Sequence, residues 1–399
     1  MSEASKKNQV ILPGATLGVM GGGQLGRMFV HAAQRMGYFT AVLDPDVSSP
    51  AGRVSHHHVL ADYLDAKGLA QLGAVADAIT TEFENVPAPA LEALARQRPV
   101  APAASAVAIA QDRAQEKAHF VRCGVACAPY AVIDSVEALA AVDAGLLPGI
   151  LKTSRMGYDG KGQVRVADRA ALEAAWAQLR EVPCVLEKML PLEAECSVIV
   201  ARGRDGQIVN FPPQRNLHRE GILAVTEVYE GNLPPAQSAT AVEAAKSIAN
   251  GLDYVGVLCV EFFVLADGAL VVNEIAPRPH NSGHYTMDAC DASQFDLQVR
   301  TLAGLPLTQP RQHSPSIMLN LLGDLWFDAN GVRAQAVTSA TPPPWAEVLA
   351  LPGVHLHLYG KLEAKPGRKM GHLNVTGATI EAVRATALQA CQLLGLEPF

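Results

Sequence analysis

Two glutamates in a predicted β-hairpin are the residues of this chain best placed for metal chemistry. Asp267 and Gly268 separate two apolar runs, and an Asp-Gly pair is typical of a two-residue hairpin loop. That loop places Glu261 directly opposite Glu274, with Cβ atoms about 5 Å apart on one face. Two such carboxylates repel unless they share a proton or a cation, and Mg²⁺ usually binds one or two carboxylates plus substrate phosphates. A register shifted by one residue would instead turn one glutamate to solvent.

A glycine-rich turn follows the first predicted strand. Its pattern is Gly21-Gly22-Gly23-Gln24-Leu25-Gly26, and Asp44 follows about twenty residues later. Glycines let the backbone approach an anion, and the N-terminus of the next helix offers N–H groups. The pattern fits a dinucleotide, but a phosphate-bearing substrate would use the same geometry. A tight strand-to-helix turn without a ligand is the third interpretation.

A lysine and a second glycine-rich loop lie together further along the chain. Lys152 ends the apolar run Gly149-Ile150-Leu151, and the segment Gly157-Tyr158-Asp159-Gly160-Lys161-Gly162 follows closely. A mobile loop that carries a cation can close over a polyphosphate and exclude water. The spacing differs from that of a P-loop, because no Gly-Lys-Ser/Thr triplet is present. An exposed hairpin turn with a solvated lysine is the alternative.

The elements that position these residues fall into several predicted domains. Strand and helix signals alternate over the first hundred residues, which predicts a parallel sheet with helices on its faces. The later pattern of short strands favours α+β modules. The predicted division is a flexible tail at 1–14, a Rossmann-like domain at 15–112, a small module at 113–188, a large module at 189–308 and a C-terminal domain at 309–399.

Composition excludes several classes of protein. The chain has 399 residues with a net charge of −7, which argues against a broad basic surface for nucleic acid. Its seven cysteines, an odd and scattered number, do not indicate a disulfide framework. No apolar stretch reaches the roughly 18 residues of a membrane span, and the polar N-terminus lacks a signal peptide. We therefore expect a cytoplasmic protein that binds neither nucleic acid nor membrane.

The order of several charged residues resembles the ATP-grasp superfamily. The residues that carry this resemblance are Arg113, Lys117, Lys152, the loop at 157–163, Glu187, Lys188, Glu261, Asn273 and Glu274. Within the superfamily, the chain is similar to the N5-carboxyaminoimidazole ribonucleotide synthase family over residues 17–394. The motifs behind this second resemblance are 22–28 (GGQLGRM), 81–84 (TEFE), 157–163 (GYDGKGQ), 277–284 (PRPHNSGH) and the segment 359–368.

The resemblance implies a fold class and a nucleotide site. The fold class is α/β and α+β: an ATP-grasp fold preceded by a Rossmann-like domain and followed by a small, mixed β-rich domain. ATP would lie between the small and large modules, with residues 187–190 along the adenine and Glu195 at the ribose. Glu261 and Glu274 would hold Mg²⁺, with Mn²⁺ as an alternative ion. The residues expected to contact ATP are Arg113, Lys152, Gly157, Tyr158, Asp159, Gly160, Lys161, Gly162, Gln163, Glu187, Lys188, Met189, Leu190, Glu195, His218, Asn273 and Glu274.

The resemblance also implies a site for a phosphorylated substrate, aminoimidazole ribonucleotide. Arginine suits anionic oxygens because its guanidinium binds them through two parallel hydrogen bonds. Asp159 would position the substrate amine or move its proton, and Lys361 and Arg368 are the other expected catalytic residues. The residues expected to bind the substrate are Gly23, Gln24, Leu25, Glu82, Arg278, Asn281, Ser282, Lys361 and Arg368.

The implied enzyme is an ATP-dependent C–N ligase of de novo purine biosynthesis. It would consume ATP, bicarbonate and aminoimidazole ribonucleotide and form ADP, phosphate and N5-carboxyaminoimidazole ribonucleotide through carboxyphosphate. Its partners would be these small molecules and a second copy of the chain in a homodimer. The alternatives are another ATP-grasp ligase such as formate-dependent glycinamide ribonucleotide transformylase, an NAD-dependent oxidoreductase and a nucleotide sensor without turnover.

Overall fold

The computed structural model describes residues 10–155, 162–327 and 343–399. Its strands are β1 (Thr16–Met20), β2 (Phe39–Leu43), β3 (His57–Val59), β4 (Ala78–Thr81), β5 (Tyr130–Ile133), β6 (Gly149–Thr153), β7 (Gln163–Val166), β8 (Cys184–Lys188), β9 (Leu192–Arg202), β10 (Ile208–Asn210), β11 (Gln214–Arg219), β12 (Ile222–Val228), β13 (Gly256–Leu265), β14 (Leu270–Ala276), β15 (Ser316–Leu322), β16 (Val354–Leu358) and β17 (Lys369–Thr376). Its α-helices are α1 (Gln24–Arg35), α2 (Ala66–Val75), α3 (Ala88–Ala95), α4 (Ala104–Ala110), α5 (Arg113–Arg122), α6 (Val136–Ala140), α7 (Arg169–Gln178), α8 (Pro235–Gly251), α9 (Thr286–Ala289), α10 (Gln294–Ala303), α11 (Trp345–Leu349) and α12 (Ile380–Leu394). Three 3₁₀ turns span Ala144–Leu146, Asn281–Gly283 and Gly323–Trp326.

The N-terminal sheet is parallel, as the βαβ pattern predicts. Its strand order is β3-β2-β1-β4, and every pair in it is parallel. The carboxyl ends of parallel strands meet at one edge of a sheet, where ligands of open α/β sheets bind. The glycine turn after β1, Asp44 after β2 and Glu82 after β4 therefore lie at the same edge.

The residues just ahead of this sheet are held in place. The sequence analysis predicts a flexible tail over residues 1–14, of which the structure describes 10–14. The Ile11 N–H donates to the Ala303 carbonyl at 2.8 Å, and the Tyr38 hydroxyl donates to the Ile11 carbonyl at 2.7 Å. Ile11 also packs against the core around α1, because an apolar side chain is more stable there than in water. These contacts attach Ile11 to the domain, and the limit of the predicted tail stays a prediction.

A second, four-stranded sheet forms the small module. Its order is β5-β8-β6-β7, and its pairs are antiparallel. Leu172 and Trp176 of α7 pack on one face against Leu151 and Leu186. Lys152 on β6 and Glu187 on β8 belong to the opposite side of their strands, because neighbouring residues of a strand alternate between its two faces.

The third sheet joins the large module to the C-terminal strands. Its order is β14-β13-β9-β11-β12-β15-β17-β16, with β10 paired to β9. Val198 and Val200 face α8, whereas Ile199 and Ala201 lie in the core beside α10. Strands from both sides of residues 308–309 belong to this one sheet, although the sequence analysis divides the large module from the C-terminal domain there. That division and the other domain limits stay predictions.

Helix α10 connects the N-terminal domain to this large sheet. It has a capping box formed by Ser293 and Asp296, and it ends at Gly304 in the left-handed conformation. Phe295 and Val299 pack with residues of α1. The Arg35 guanidinium of α1 forms an ion pair with Asp296. Among the described residues, no helix is long and apolar enough to cross a membrane.

The loop between β13 and β14 differs from the predicted two-residue turn. The Leu265 N–H donates to the Ala269 carbonyl at 2.8 Å, so three residues lie between the paired ends. Gly268 has φ +83°, a left-handed conformation that disfavours side chains with a Cβ. The Asp-Gly pair therefore marks the hairpin correctly, but its loop is a three-residue loop with glycine at the left-handed position.

An irregularity in β14 compensates for the longer loop. Near the loop, Phe262 pairs with Val272, but the register shifts by one residue beyond it. Asn273 is the extra residue on the β14 side, as in a β-bulge. Glu261 consequently pairs with Glu274, the partner that the sequence analysis predicts. The predicted loop is wrong, and the predicted pairing of the two carboxylates is observed.

Three histidine rings stack where the C-terminal strands meet the large module. The ring of His372 on β17 lies 4.5 Å from those of both His284 and His357. The Tyr359 hydroxyl lies 3.0 Å from Nδ1 of His372, and Asp288 lies 2.8 Å from Nε2 of His357. His284 and His372 are almost completely buried. Burial lowers the pKa of both imidazoles well below the usual value, so both are neutral at pH 7.

Candidate active site

A cleft of about 790 Å³ lies between the small sheet and the large sheet. It is lined by most of the residues expected to contact ATP: Arg113, Lys152, Gln163, Glu187, Lys188, Met189, Leu190, Glu195, His218, Asn273 and Glu274, together with Glu261. Gly162, beside Gln163, accepts the Thr153 N–H at 2.9 Å. Gly157, Tyr158, Asp159, Gly160 and Lys161 lie outside the described residues.

Lys152 and Glu187 line one side of the cleft, and the buried Lys117 pairs with Glu187. The Glu187 carboxylate is 4% exposed and lies 3.1 Å from Nζ of Lys152 and 3.2 Å from Nζ of Lys117. Burial alone would raise the pKa of Glu187, but the two ammonium groups lower it overall. One carboxylate between two ammonium groups leaves net positive charge, which favours an anion such as a phosphate chain. Glu187 thus lines the cleft with its carboxylate engaged by lysines.

The backbone expected along the adenine is partly used within the protein. The N–H groups of Lys188 and Met189 donate to the carbonyls of Pro129 and Pro148, at 2.9 and 3.0 Å. These two N–H groups therefore cannot bind a base edge without breaking existing bonds. The Met189 side chain is 38% exposed, which suits apolar contact with a base.

An acid–imidazole pair lies on neighbouring strands of the cleft floor. Glu195 on β9 and His218 on β11 approach to 2.6 Å between Oε2 and Nδ1. Burial alone would lower the pKa of His218, but the hydrogen bond and charge of Glu195 raise it overall. A carboxylate held in this way can accept hydrogen bonds from sugar hydroxyls.

The paired hairpin carboxylates face different partners. Glu261 lies 3.0 Å from Nε2 of His280, and Glu274 lies 3.1 Å from NH1 of Arg113. Burial raises the pKa of Glu261, but His280 and other nearby cations lower it to about 2. The Asn273 side-chain oxygen is buried without a hydrogen-bond partner among the described residues. Ionised carboxylates and an unpaired amide oxygen are the hard ligands that suit Mg²⁺.

The residues present would leave part of the coordination of a metal ion to the substrate. In the part of the chain that the structure describes, no cluster of three or more His, Cys, Asp or Glu side chains is arranged to hold a metal ion. Two carboxylates beside a basic cleft match Mg²⁺ bound jointly by the protein and by substrate phosphates. The residues present therefore fit a nucleotide-associated metal rather than a closed structural site.

Glu116, a buried acid on α5, was not predicted. It is 2% exposed, lines the cleft, and its Oε1 accepts the Ile275 N–H at 2.8 Å. Burial and the nearby Glu274 raise its pKa to about 8. The bond links α5, which carries Arg113, to the strand that carries Glu274. Its position beside the charged residues of α5 was the available sequence signal.

The glycine turn at the other end of the site already binds carboxylates of the protein. Glu82 accepts the N–H groups of Gly23 at 2.6 Å and Gly26 at 2.9 Å, and Asp44 accepts that of Gly22 at 2.7 Å. The expectation of open N–H groups at this turn is wrong for these glycines, because the protein supplies its own anions. The side chain of Leu25, another expected substrate contact, is buried in the core.

The Asp44 carboxylate has two further hydrogen-bond donors within the protein. The Tyr63 hydroxyl donates to Oδ2 at 2.7 Å, and the Asp46 N–H donates to Oδ1 at 2.8 Å. In a dinucleotide site this carboxylate would instead accept ribose hydroxyls. These contacts, with Glu82 at the helix N-terminus, argue against the NAD-dependent alternative.

Cations of the C-terminal domain border the same end of the site. Nζ of Lys361 donates to the carbonyl of Lys369, a cleft residue, at 2.6 Å. Burial and the neighbouring Arg368 lower the pKa of Lys361 to about 8, while Glu82 raises it. The charges of Arg368 and Glu82 thus act on the Lys361 ammonium in opposite directions.

The segment after β14 supplies further polar groups. Arg278 and Asn281 line the cleft, and the Asn281 side-chain nitrogen is buried without a partner among the described residues. Ser282, an expected substrate contact, is fully buried and lies 2.8 Å from Ser197 Oγ. It also lies 2.9 Å from Nδ1 of His280, so it supports that imidazole from behind.

His280 and Glu84 were absent from the expected site residues. His280 contacts Glu261, and Glu84 contacts Arg278. Both lie inside motifs that carry the family resemblance, at 277–284 and 81–84, and this was the signal that could have found them.

Comparison with known proteins agrees with this geometry. Family models match an ATP-grasp domain at residues 118–295, a ribonucleotide synthetase preATP-grasp domain at 14–111 and a phosphoribosylaminoimidazole carboxylase C-terminal domain at 316–386. The fold and the cleft thus define an ATP-grasp ligase, an enzyme that uses ATP.

Relatives narrow the assignment within that class. N5-carboxyaminoimidazole ribonucleotide synthase of Brucella melitensis is 45% identical over 368 residues, covering 90% of this chain and 96% of the relative. An ADP complex of N5-carboxyaminoimidazole ribonucleotide synthetase is 39% identical with a TM-score of 0.87, covering 97% and 98% of the two chains. The Aspergillus clavatus enzyme in complex with ADP and 5-aminoimidazole ribonucleotide is 31% identical with a TM-score of 0.83, covering 97% and 99%. The chain belongs to the N5-carboxyaminoimidazole ribonucleotide synthase family.

Proposed function

We propose that this protein carboxylates 5-aminoimidazole ribonucleotide with bicarbonate at the expense of ATP. The products are N5-carboxyaminoimidazole ribonucleotide, ADP and phosphate. The observation that carries the proposal is the pairing of Glu261 with Glu274 on a hairpin bordering the basic cleft. Family membership and the Aspergillus clavatus complex with ADP and 5-aminoimidazole ribonucleotide support the same reaction.

In this proposal the nucleotide occupies the cleft between the two sheets. Arg113 and Lys152 receive the phosphate chain, the Glu195–His218 pair receives the ribose hydroxyls, and the apolar Met189 contacts the base. The loop at 157–163 covers the phosphates, as the family resemblance implies. Exclusion of water by such a loop strengthens each charge interaction at the reacting phosphate.

Glu261 and Glu274 are the proposed Mg²⁺ ligands, with the Asn273 oxygen beside them. Bound there with ATP, the ion would neutralise charge that develops on the transferring phosphoryl oxygens. His280 hydrogen-bonds Glu261 and Arg113 hydrogen-bonds Glu274, so the chain already holds both carboxylates in place. The low pKa of Glu261, about 2, keeps that carboxylate ionised at neutral pH.

The chemistry runs in two steps. A bicarbonate oxygen attacks the γ-phosphorus of ATP, the bond to ADP breaks, and carboxyphosphate forms. The substrate amine then attacks the carboxyl carbon of carboxyphosphate, or of CO₂ released from it; phosphate leaves in either case, and the amine loses its proton. Lysine and arginine side chains favour both steps because negative charge grows on oxygen in each. Asp159 is the proposed group that positions the amine or accepts its proton.

The phosphorylated substrate binds at the edge shared by the N-terminal and C-terminal domains. Lys361 and Arg368 are the proposed contacts for its anionic groups, and Gln24 and Glu82 border the same region. Asn281 and Arg278 lie between this region and the carboxylate hairpin. A ribonucleotide held here would present its amine towards the end of the triphosphate.

An ADP-release assay with each substrate omitted in turn tests the proposal. We expect ADP formation to require both bicarbonate and aminoimidazole ribonucleotide. Formate should not replace bicarbonate. Release that depends on formate and glycinamide ribonucleotide would favour the transformylase alternative. Binding of ATP without any turnover would favour the sensor.

We also propose that the protein is a cytoplasmic homodimer. All the cysteines in the described ranges are free, which suits a reducing compartment. The homodimer follows from the family resemblance alone. Light scattering on the purified protein measures it, and a mass of one chain would refute it.

A further inference from the structure

Glu84 of the N-terminal domain contacts a guanidinium of the ATP-grasp core. It lies three residues after β4, and its Oε2 accepts a hydrogen bond from Nε of Arg278. Both side chains line the cleft, with exposures of 30% for Glu84 and 16% for Arg278. Such a half-buried ion pair between domains costs desolvation, so its geometry needs an explanation.

The backbone around Glu84 is fixed by a side chain from another element. Nε2 of Gln111 donates to the carbonyls of Glu84 at 2.6 Å and Val86 at 2.7 Å. Gln111 immediately follows α4 and precedes α5, the helix that carries Arg113. Burial raises the pKa of Glu84, but Arg278 lowers it to about 2, so the carboxylate is ionised at neutral pH.

The contacts of Arg278 leave part of its guanidinium for a ligand. A guanidinium carries five N–H groups in one plane. In Arg278, Nε donates to Glu84 and NH1 donates to the Pro279 carbonyl at 3.0 Å. These two bonds fix the plane of the group, and its NH2 makes no further hydrogen bond to the residues that the structure describes. A planar group fixed in this way suits the two oxygens of a carboxylate.

We propose that Glu84 is a positioning residue for the carboxylation step. It holds the Arg278 guanidinium so that this group receives the oxygens of bicarbonate and of the carboxyl group derived from it. The inference rests on the proposed function. His280, two residues beyond Arg278, hydrogen-bonds Glu261, so the guanidinium lies beside the proposed metal carboxylates. That is where bicarbonate must meet the γ-phosphoryl group.

The same short segment also contacts the substrate turn. Glu82, two residues before Glu84, binds the N–H groups of Gly23 and Gly26. Residues 82–84 therefore connect the ribonucleotide end of the site with the bicarbonate end. If Arg278 lost its position, carboxyphosphate would react with water, giving bicarbonate and phosphate, before the amine reached it. ATP would then be consumed without product.

Glu84→Ala and Glu84→Gln test this role, because the KM for bicarbonate should change more than the KM for ATP. For Glu84→Ala we expect the KM for bicarbonate to rise by about tenfold to a hundredfold, with the KM for ATP changed by less than about threefold. The ratio of ADP to carboxylated product should rise above one. Glu84→Gln should lie between wild type and Glu84→Ala, because its amide oxygen still accepts a hydrogen bond from Nε of Arg278.

A double-mutant cycle with Arg278→Ala decides whether Glu84 acts through Arg278. In the Arg278→Ala background, Glu84→Ala should change the KM for bicarbonate by less than about twofold, whereas independent residues give multiplied effects. Multiplied effects would overturn the proposal. If Glu84→Ala does not fold, Glu84→Gln replaces it in the cycle, with thermal unfolding as the check on folding.

Arg35→Gln is the matched control. It removes another ion pair between the same two domains, Arg35 with Asp296, away from the cleft. We expect its kinetic constants and its ratio of ADP to product to equal those of wild type; a change like that of Glu84→Ala would assign the effect to domain contact alone. A wild-type protein without bicarbonate-dependent ADP release would refute the proposed function itself, which is a different result from multiplied effects in an active enzyme.

Discussion

Two carboxylates of this site, Glu261 and Glu187, are kept ionised by cations that the chain itself provides. Burial alone would raise the pKa of Glu261, yet His280 and other cations lower it to about 2. Glu187 is likewise held ionised between Lys117 and Lys152. Negative charge is therefore available to a metal, and positive charge to a phosphate chain, at neutral pH in the same cleft.

Replacement of Glu274 tests the metal assignment. We expect Glu274→Ala to lower ADP formation to below about one hundredth of the wild-type rate, because one of two proposed Mg²⁺ ligands is lost. Glu243→Ala is the control, since Glu243 is an exposed carboxylate on α8 that pairs with Lys246. A Glu274→Ala variant with near-normal turnover would remove the metal hypothesis.

Glu116 tests a buried hydrogen bond that the sequence analysis did not foresee. Glu116→Ala leaves the Ile275 N–H without its partner, so we expect the free energy of unfolding to fall by about 1–3 kcal/mol. Glu116→Gln keeps an oxygen acceptor and should recover most of that loss. Urea unfolding measures both variants. Equal stability of the alanine and glutamine variants would contradict the importance of this bond.

At the scale of elements, the hairpin shows what a local pattern can and cannot predict. The Asp-Gly pair and the flanking apolar runs predict two strands and a turn, because these depend on neighbouring residues alone. The three-residue loop and the extra residue at Asn273 depend on pairing of β13 with β9 and β14 together. The extra loop residue and the extra residue in β14 offset each other, so Glu261 still pairs with Glu274. The pattern of one strand alone cannot predict that compensation.

Gly268 gives a test of the loop geometry. Because its φ is +83°, Gly268→Ala should lower the free energy of unfolding by about 1–2 kcal/mol through strain in the left-handed region. Gly145 is a suitable control: it is exposed, and a Cβ there meets only ordinary contacts with the Asp143 side chain. Gly145→Ala should leave stability nearly unchanged. Chemical denaturation of both variants measures the difference, and equal losses would contradict the loop assignment.

At the scale of the whole molecule, contacts between domains were the least predictable part of the site. The parallel N-terminal sheet and the order of motifs follow from local patterns and from resemblance. The Arg278–Glu84 pair joins residues 194 positions apart, and Glu116–Ile275 joins residues 159 positions apart. Such pairs require the domains to be docked before any partner can be named. Within the N-terminal domain, the expectation of open N–H groups at the glycine turn was wrong because Glu82, which binds them, follows a different strand.

The histidine stack predicts a loss of stability in acid. The folded-state pKa values of His284 and His372 are depressed, whereas an unfolded histidine titrates near 6.5. Below about pH 6.5 the unfolded chain therefore binds more protons than the folded chain, and stability falls as the pH falls. Each histidine contributes up to about 1.4 kcal/mol per pH unit in that range.

Thermal unfolding between pH 7.5 and 5.5 measures this dependence. We expect a lower midpoint temperature at pH 5.5, and a shallower dependence for His372→Gln, which removes one of the buried imidazoles. His313→Gln is the control, because His313 has no ring contact with the stack. An identical slope for wild type and His372→Gln would contradict the buried-histidine explanation.

The continuity of the largest sheet constrains how the catalytic cycle can move. Strands β13 and β14, with the paired acids, and β17, beside Lys361, belong to one hydrogen-bonded sheet. One continuous sheet therefore holds the spacing between the proposed metal carboxylates and Lys361, a proposed contact of the ribonucleotide. We expect ATP binding to move the separate four-stranded sheet that carries Lys152 relative to this one. Deuterium uptake should accordingly change on ATP addition in β5 to β8 and stay constant across β13 to β17.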